Sequence, residues 1–359
     1  MRRNSLFARK TSPILGLDIG SSCVKLLELS FVNHRLRLEC YSIEPIPRNS
    51  SVNADIPNKQ IVGQTLQQAV LRSGTLLNHA AVAISDSKVV SKIITMPAFL
   101  AEDEIESQIH LEADQFIAIP PEDISLDFEI QGVNSEEPDN VDVRIVVCRT
   151  ADVHTFVSVL ELADLNCELV DFESNALESA TSLITNQLVD AGIRKLVAVI
   201  DIGASTTKLS VLHDMKMVYS REHTFGGREL SEKIQAYYGL DYKEAEFAKR
   251  QGGLPSTYKS EVLEPYKQQA LSKIKQALQT FFSTCSFDSL DQLILTGGGT
   301  SIDGIDTFIK DNLDIETCIA NPFLNIDISP QVDDELLLSD ASSLLLASGL
   351  ALRGFNVNG

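Results

Sequence analysis

Basic residues are scarce in this chain of 359 residues: 30 Lys and Arg stand against 50 Asp and Glu, a formal charge of −20. A nucleic-acid partner is thereby excluded, because a phosphate backbone needs a basic face that displaces its counterions. A nucleotide is not excluded, since a few backbone amides and one lysine suffice locally. The six cysteines, Cys23, Cys40, Cys148, Cys167, Cys285 and Cys318, show no C-x-x-C spacing, and the six histidines form no H-E-x-x-H or Cys/His cluster. That pattern implies buried free thiols in a reducing compartment and neither a structural nor a catalytic zinc. No uninterrupted apolar run reaches the roughly 18 residues of a bilayer-spanning helix; the richest stretch, Leu336 to Leu352, is broken by Asp340 and several serines. The start places Arg2, Arg3, Arg9 and Lys10 around Leu6 and Phe7 without an apolar core. It reads as an untethered tail, or as a weak contact with an anionic membrane surface, and not as a secretory signal. These features lead to the expectation of a cytoplasmic globular protein, with 44% apolar residues and enough length for two domains.

What is present, twice, is one short pattern. Gly16-Leu-Asp-Ile-Gly-Ser-Ser-Cys-Val-Lys-Leu-Leu-Glu-Leu29 and Val199-Ile-Asp-Ile-Gly-Ala-Ser-Thr-Thr-Lys-Leu-Ser-Val-Leu212 align Asp18 with Asp201, Gly20 with Gly203, Ser22 with Ser205 and Lys25 with Lys208. Each reads as strand, tight turn, strand. Glycine and small hydroxyl residues, with Ser21 in the first turn and Thr206 in the second, let successive backbone N–H groups converge on an anion. One such turn is an ordinary hairpin. Two facing each other would clamp a phosphate chain, and the paired aspartates would then hold the Mg²⁺ that accompanies a triphosphate. Downstream, Gly297-Gly298-Gly299 follows a buried strand and precedes an expected helix start at Thr300 to Gly304, where backbone is open to a flat base or sugar.

Between the motifs, the first hairpin leads to a third strand, Leu36 to Ser42, a loop over Glu44 to Asn58, an amphipathic helix over Gln60 to Arg72 and a strand over Ala80 to Ile84. A strand-helix-strand-strand-helix insertion follows: Val89 to Met96, Ala101 to Ile117, Ile124 to Gln131, Val141 to Arg149 and Asp152 to Ala163. Glu102, Asp103, Glu104 and Glu106 crowd the start of its first helix, where they complement the helix dipole. A helix over Asn175 to Leu188 precedes the second hairpin. After it come helices over Glu229 to Tyr238, Tyr242 to Arg250 and Glu264 to Ser283, a strand over Leu293 to Thr296, and a last helix over about Asp340 to Leu352. The pattern is two α/β halves with a ligand crevice between them. Its expected parts are a tail, 1–13; a first half, 14–88 with 166–190; the insertion, 89–165; a second half, 191–354, with a helical subdomain at 226–265; and a tail, 355–359.

The order phosphate hairpin, connecting helix, phosphate hairpin, glycine-rich loop and final helix resembles the actin, DnaK-type chaperone and sugar-kinase superfamily. The resemblance implies an actin-like (ribonuclease H-like) two-domain ATP-binding fold, with the insertion as an α/β subdomain of the type found in the division protein FtsA. It implies that Asp18 and Asp201 hold Mg²⁺ through water and that Lys25 contacts phosphate. Lys208 falls where relatives carry other residues, and its role is left open, with a solvent-facing side chain as the simplest reading. Glu173 resembles the acidic residue of an E-P-x-A motif that orients hydrolytic water, with Ser174 in place of the proline. Glu246 and Lys249, otherwise a solvated helix face, lie where relatives contact ribose and adenine. The segments I-T-M-P-A-F-L and Q-I-H-L-E-A-D-Q-F-I, with both hairpins, are similar to the PilM family of type IV pilus assembly over Ile14 to Gly354. That similarity implies ATP binding with weak or no hydrolysis. It also implies capture of the short cytoplasmic N-terminal peptide of PilN, a single-pass inner-membrane protein, so that the chain meets the membrane only through partners and joins it to the pilus motor ATPase and other assembly components. The peptide groove is expected between the insertion and the first half's core, near Val89 to Met96 and the helix Ala101 to Ile117, where a sheet edge could pair with an extended chain. The alternatives are an FtsA-like cytoskeletal ATPase and a superfamily kinase; the end of the chain, Arg353 to Gly359, lacks the amphipathic helix of the former.

Overall fold

The computed structural model describes residues 12–47, 58–116, 120 and 123–355. The basic start, most of the loop after Glu44, the end of the insertion's first helix and the last four residues fall outside them. The chain opens with β1 (Leu15–Ile19), β2 (Cys23–Val32) and β3 (Arg35–Pro45), antiparallel neighbours, then α1 (Lys59–Ser73) and β4 (His79–Ile84). Asn58 caps α1 by accepting from the Gln60 amide, and Gly74 ends it in the left-handed conformation at φ +70°. The insertion supplies β5 (Val89–Pro97), α2 (Glu102–Phe116), β6 (Ile124–Val133), β7 (Asn140–Arg149) and α3 (Thr150–Glu161), and β8 (Asn166–Phe172) returns to the first half. A connecting helix, α4 (Glu173–Thr181), leads to β9 (Leu196–Ile202), β10 (Thr207–His213) and β11 (Lys216–His223). Then follow α5 (Gly227–Tyr238), α6 (Tyr242–Gln251), α7 (Glu264–Thr284), β12 (Gln292–Thr296), α8 (Ile305–Leu313), β13 (Thr317–Ile319), β14 (Asp327–Ile328), α9 (Asp334–Asp340) and α10 (Leu345–Leu352).

The sequence duplication is a duplication of topology. The first large sheet runs β14-β3-β2-β1-β4-β8 and the second β11-β10-β9-β12-β13, so each has an antiparallel hairpin meander on one side of its central strand and parallel strands on the other. The central strands are buried on both faces, which is why they read as continuous apolar runs. On β9, Val197 and Val199 face one core while Ala198, Ile200 and Ile202 face another. The insertion forms its own sheet, β5-β7-β6, with Ile105 and Ile109 of α2 packed on Met96, Val143, Ile145 and Val147.

Packing redistributes three segments relative to the sequence reading. α3, grouped there with the insertion, buries Phe156, Val159 and Leu160 in the first half's core beside Leu15, Val62 and Leu66. α4 bridges the halves: Ala176 stays with Ile14, Ala81 and Leu169 of the first, while Leu177 and Ala180 pack against Val197, Val199 and Ile294 of the second sheet. The final segment makes the opposite crossing: β14 adds to the edge of the first sheet beside β3, and α9 and α10 lie on Leu27, Leu29 and Leu38. The crossing helices meet at Gly349, where a Cβ would stand 1.9 Å from the Ala176 carbonyl oxygen, and α10 approaches β1 at Gly16 in the same manner. Residues Asp334–Leu352 are long and apolar enough, by length and composition, to cross a membrane, yet they are broken between α9 and α10, and more than half of the stretch is buried in this core.

Candidate functional site

Both glycine turns close in the same way. The Gly20 amide donates to the Cys23 carbonyl at 3.0 Å and the Gly203 amide to the Thr206 carbonyl at 2.9 Å. Behind each turn the aspartate and lysine are cross-strand partners: Asp18 with Lys25 and Asp201 with Lys208. The turns, 184 residues apart in sequence, touch each other, with Ser21 Oγ 3.1 Å from Ser205 Oγ. Of the first turn's other residue, Ser22, the carbonyl is taken up by the Ile46 amide at 2.8 Å.

The two aspartates share one electrostatic environment. Lys25 Nζ lies 2.8 Å from Asp18 Oδ2, and both side chains are largely buried. Burial pulls the Lys25 ammonium down, but the charges of Asp18, Cys23 and Asp201 outweigh it and hold the group well above the usual lysine range. Burial raises the Asp201 carboxyl, Lys25 opposes, and the nearby charge of Asp18 raises it further. The two carboxylates thus feel one another and share the charge of one ammonium.

A cleft beside the second turn is lined by Glu173, Asp201, Gly203, Thr206 and Lys208, together with Ser210, Glu222 and Thr296. Gly297, at φ +87°, lets the loop after β12 come down on Asp201: a Cβ at 297 would stand 2.1 Å from Asp201 Oδ1, and one at 299 would stand 2.3 Å from Ile202 Cγ2. Gly298 faces open space. The loop begins a short 3-10 turn, Gly298–Ser301, rather than an α-helix; the helix expected there starts later, at Ile305, because Gly304 in the left-handed conformation interrupts it. Glu246 and Lys249 are not a solvated face. Lys249 Nζ donates to Glu246 Oε1 at 2.7 Å and to Ser231 Oγ at 2.8 Å, and reaches the Gly227 carbonyl at 3.3 Å. Gly227 in turn donates its amide to the Gly203 carbonyl at 2.9 Å, so the start of α5 ties this pair to the second turn.

Lys208 corrects an expectation. Its side chain does not face solvent; it is 14% exposed and paired with Glu173 Oε2 at 2.8 Å and with Asp86. Burial pulls it down, while Glu173 and Asp86 raise it more. Burial likewise raises the Glu173 carboxyl, with Lys208 opposing. Asp86 is the functional residue that sequence reasoning missed. It accepts from the Ser174 amide at 3.0 Å, from Ser174 Oγ, and from Ser220 Oγ at 2.7 Å on β11. Phe172, at the cap position of α4, supplies no side-chain bond, so Asp86 caps this helix from the short turn that follows β4. Only the Ser85-Asp86-Ser87 turn chemistry could have drawn attention to it. Among the described residues no group of three or more His, Cys, Asp or Glu forms a metal cage.

Comparison with known proteins decides the family. Residues 16–355 match the family described as type IV pilus assembly protein PilM. The chain belongs to the PilM family. It is similar to a chain of the PilM-PilN type IV pilus biogenesis complex, at 25% identity and a TM-score of 0.77, with 96% of this chain and 99% of that chain covered. More distant structures share the actin-like fold alone. Ethanolamine utilization protein EutJ from Carboxydothermus hydrogenoformans is 16% identical at a TM-score of 0.54, with 99% of this chain and 94% of that chain covered. MreB 5 of Spiroplasma citri, solved bound to AMPPNP, is 15% identical at 0.50, with 95% of each chain covered. Membership of the PilM family makes this an actin-like protein of type IV pilus assembly, and the division-protein and kinase alternatives are not favoured.

Proposed function

We propose that the chain binds ATP with Mg²⁺ between its two glycine turns and in that form captures the N-terminal cytoplasmic peptide of a PilN partner, linking an inner-membrane complex to cytoplasmic pilus components. The observation that carries the nucleotide half is the meeting of the two turns at Ser21 and Ser205, each with an aspartate and a lysine behind it. Turn amides at Ser21 and Ser22 and at Ser205 and Thr206 are the phosphate donors, with Lys25 as the cation, while Gly20 and Gly203, whose own amides close the turns, keep side chains out of the phosphate's way. Asp18 and Asp201 fit Mg²⁺, a hard ion that keeps several waters and takes one or two carboxylates plus phosphate oxygens rather than a full protein cage. When bound, the ion would neutralise phosphate charge beside these two acids. Gly298 and Gly299 offer backbone to the nucleoside, and Glu246 and Lys249 border it from α6. Glu173 is the residue placed to orient water.

The partner half is supported by family membership and by the similarity to the PilM-PilN complex. The groove is assigned to the region of β5 and α2, where β5 is an edge strand with Ile93 exposed. Through that partner the protein would sit at the inner face of the inner membrane. Titrating a synthetic PilN N-terminal peptide into the full chain, with and without Mg-ATP, tests the reading. Saturable binding that persists in Glu173→Gln is expected; absence of binding in both conditions would remove the partner assignment.

A further inference from the structure

The hairpin lysines occupy the same ladder position and do different work. Lys25 stays with its own cross-strand aspartate, whereas Lys208 turns from Asp201 to Glu173, with Nζ 2.8 Å from Oε2, and to Asp86. Asp86 also anchors the residue after Glu173, through an amide bond at 3.0 Å that a proline at 174 could not donate, and it takes a hydroxyl from Ser220 of the second half. Glu173 is therefore fixed from two directions. Its own carboxylate is engaged by a buried ammonium, and its backbone neighbour is tied to the same acid that holds that ammonium.

We propose that Lys208 and Asp86 are positioning residues that hold Glu173 as an ion-pair partner instead of a free base, and that lock the two halves together behind the turns, so that bound nucleoside triphosphate is retained intact. The inference rests on the nucleotide reading above. A buried carboxylate that accepts a hydrogen bond from an ammonium, its charge balanced there, takes a proton from water less readily than the same buried carboxylate without that partner. The same contacts close the second half onto the first: Lys208 and Ser220 lie on β10 and β11, Asp86 in the short turn that follows β4.

The test measures two quantities on the full chain, Mg-ATP affinity and single-turnover phosphate release. Lys208→Met should bind Mg-ATP within about tenfold of wild type and release phosphate about tenfold faster or more. Lys208→Arg should return the rate to that of wild type, and adding Glu173→Gln to Lys208→Met should do the same. Should Lys208→Met fail to fold, Lys208→Gln, which keeps a polar group beside Glu173 and removes the charge, must raise release in the same direction. Variants that bind ATP and hydrolyse it no faster than wild type overturn the proposal, as does a faster rate that survives Glu173→Gln. A wild-type chain that binds no Mg-ATP overturns the nucleotide reading itself, and is told apart by the affinity measurement.

Discussion

Asp86 holds together more of the site than any residue its sequence neighbourhood advertises. Burial would raise its carboxyl, but Lys208, Ser174 and Ser220 outweigh that and hold it below the ordinary value near 3.8. A carboxyl lowered on folding stabilises the native chain fully above its unfolded value, and that contribution is lost as pH falls through the lower folded value. Asp86→Asn is therefore expected to destabilise the nucleotide-free chain by about 2 kcal/mol near neutrality, less than loss of an isolated buried partner because Lys208 keeps Glu173. Urea denaturation at a series of pH values should show the gap between wild type and variant constant above about pH 5 and narrowing below the unfolded carboxyl value. A gap that widens on acidification would contradict the assignment of charge at this position. In the sequence, the Asp18 and Asp201 turns are legible because every part of each motif is local. Asp86 is not, because its helix target lies 88 residues away.

Elements were legible where one periodicity held throughout. The long helix α7 buries Tyr266, Ala270, Ile274, Ala277, Leu278 and Phe281, residues that recur at helical spacing in the sequence. β11 is missed because its alternation puts Tyr219 toward the core while Ser220 reaches Asp86 and Glu222 lines the cleft, so its polar face reads as loop. β14 is only two residues long and acquires its identity from β3. The exchange of α4 and α10 between halves is equally invisible locally, since amphipathicity says that a face is buried and not against what. Gly349 marks the crossing. Gly349→Ala would force a methyl group into the Ala176 carbonyl and is expected to cost about 3 kcal/mol through displacement of the helices. Equilibrium denaturation checks it, and a change within about 0.5 kcal/mol would show that the helices do not meet closely there.

At the scale of the molecule, one sheet topology occurs twice, the two copies touch at their glycine turns, and the chain crosses between them twice. The crossings make the halves a unit while leaving the two turns in contact at their junction. The chain's formal charge of −20, with Asp18, Asp201, Glu173 and Asp86 near the turns, opposes entry of a polyphosphate that carries no cation. Family membership was within reach of the sequence because both hairpins and the insertion lie in order along it; the tie between Lys208 and Glu173 required the fold. The most direct measurement is a thermal-unfolding titration with Mg-ATP on wild type, Asp18→Ala and Asp201→Ala, repeated with chelator. At about a hundred times the dissociation constant, wild type should gain roughly 2.7 kcal/mol, a rise of about 4 °C, and either substitution or removal of magnesium should abolish most of it. A wild-type chain whose transition does not move, or a shift that persists undiminished in both variants, would contradict a nucleotide held between the two turns.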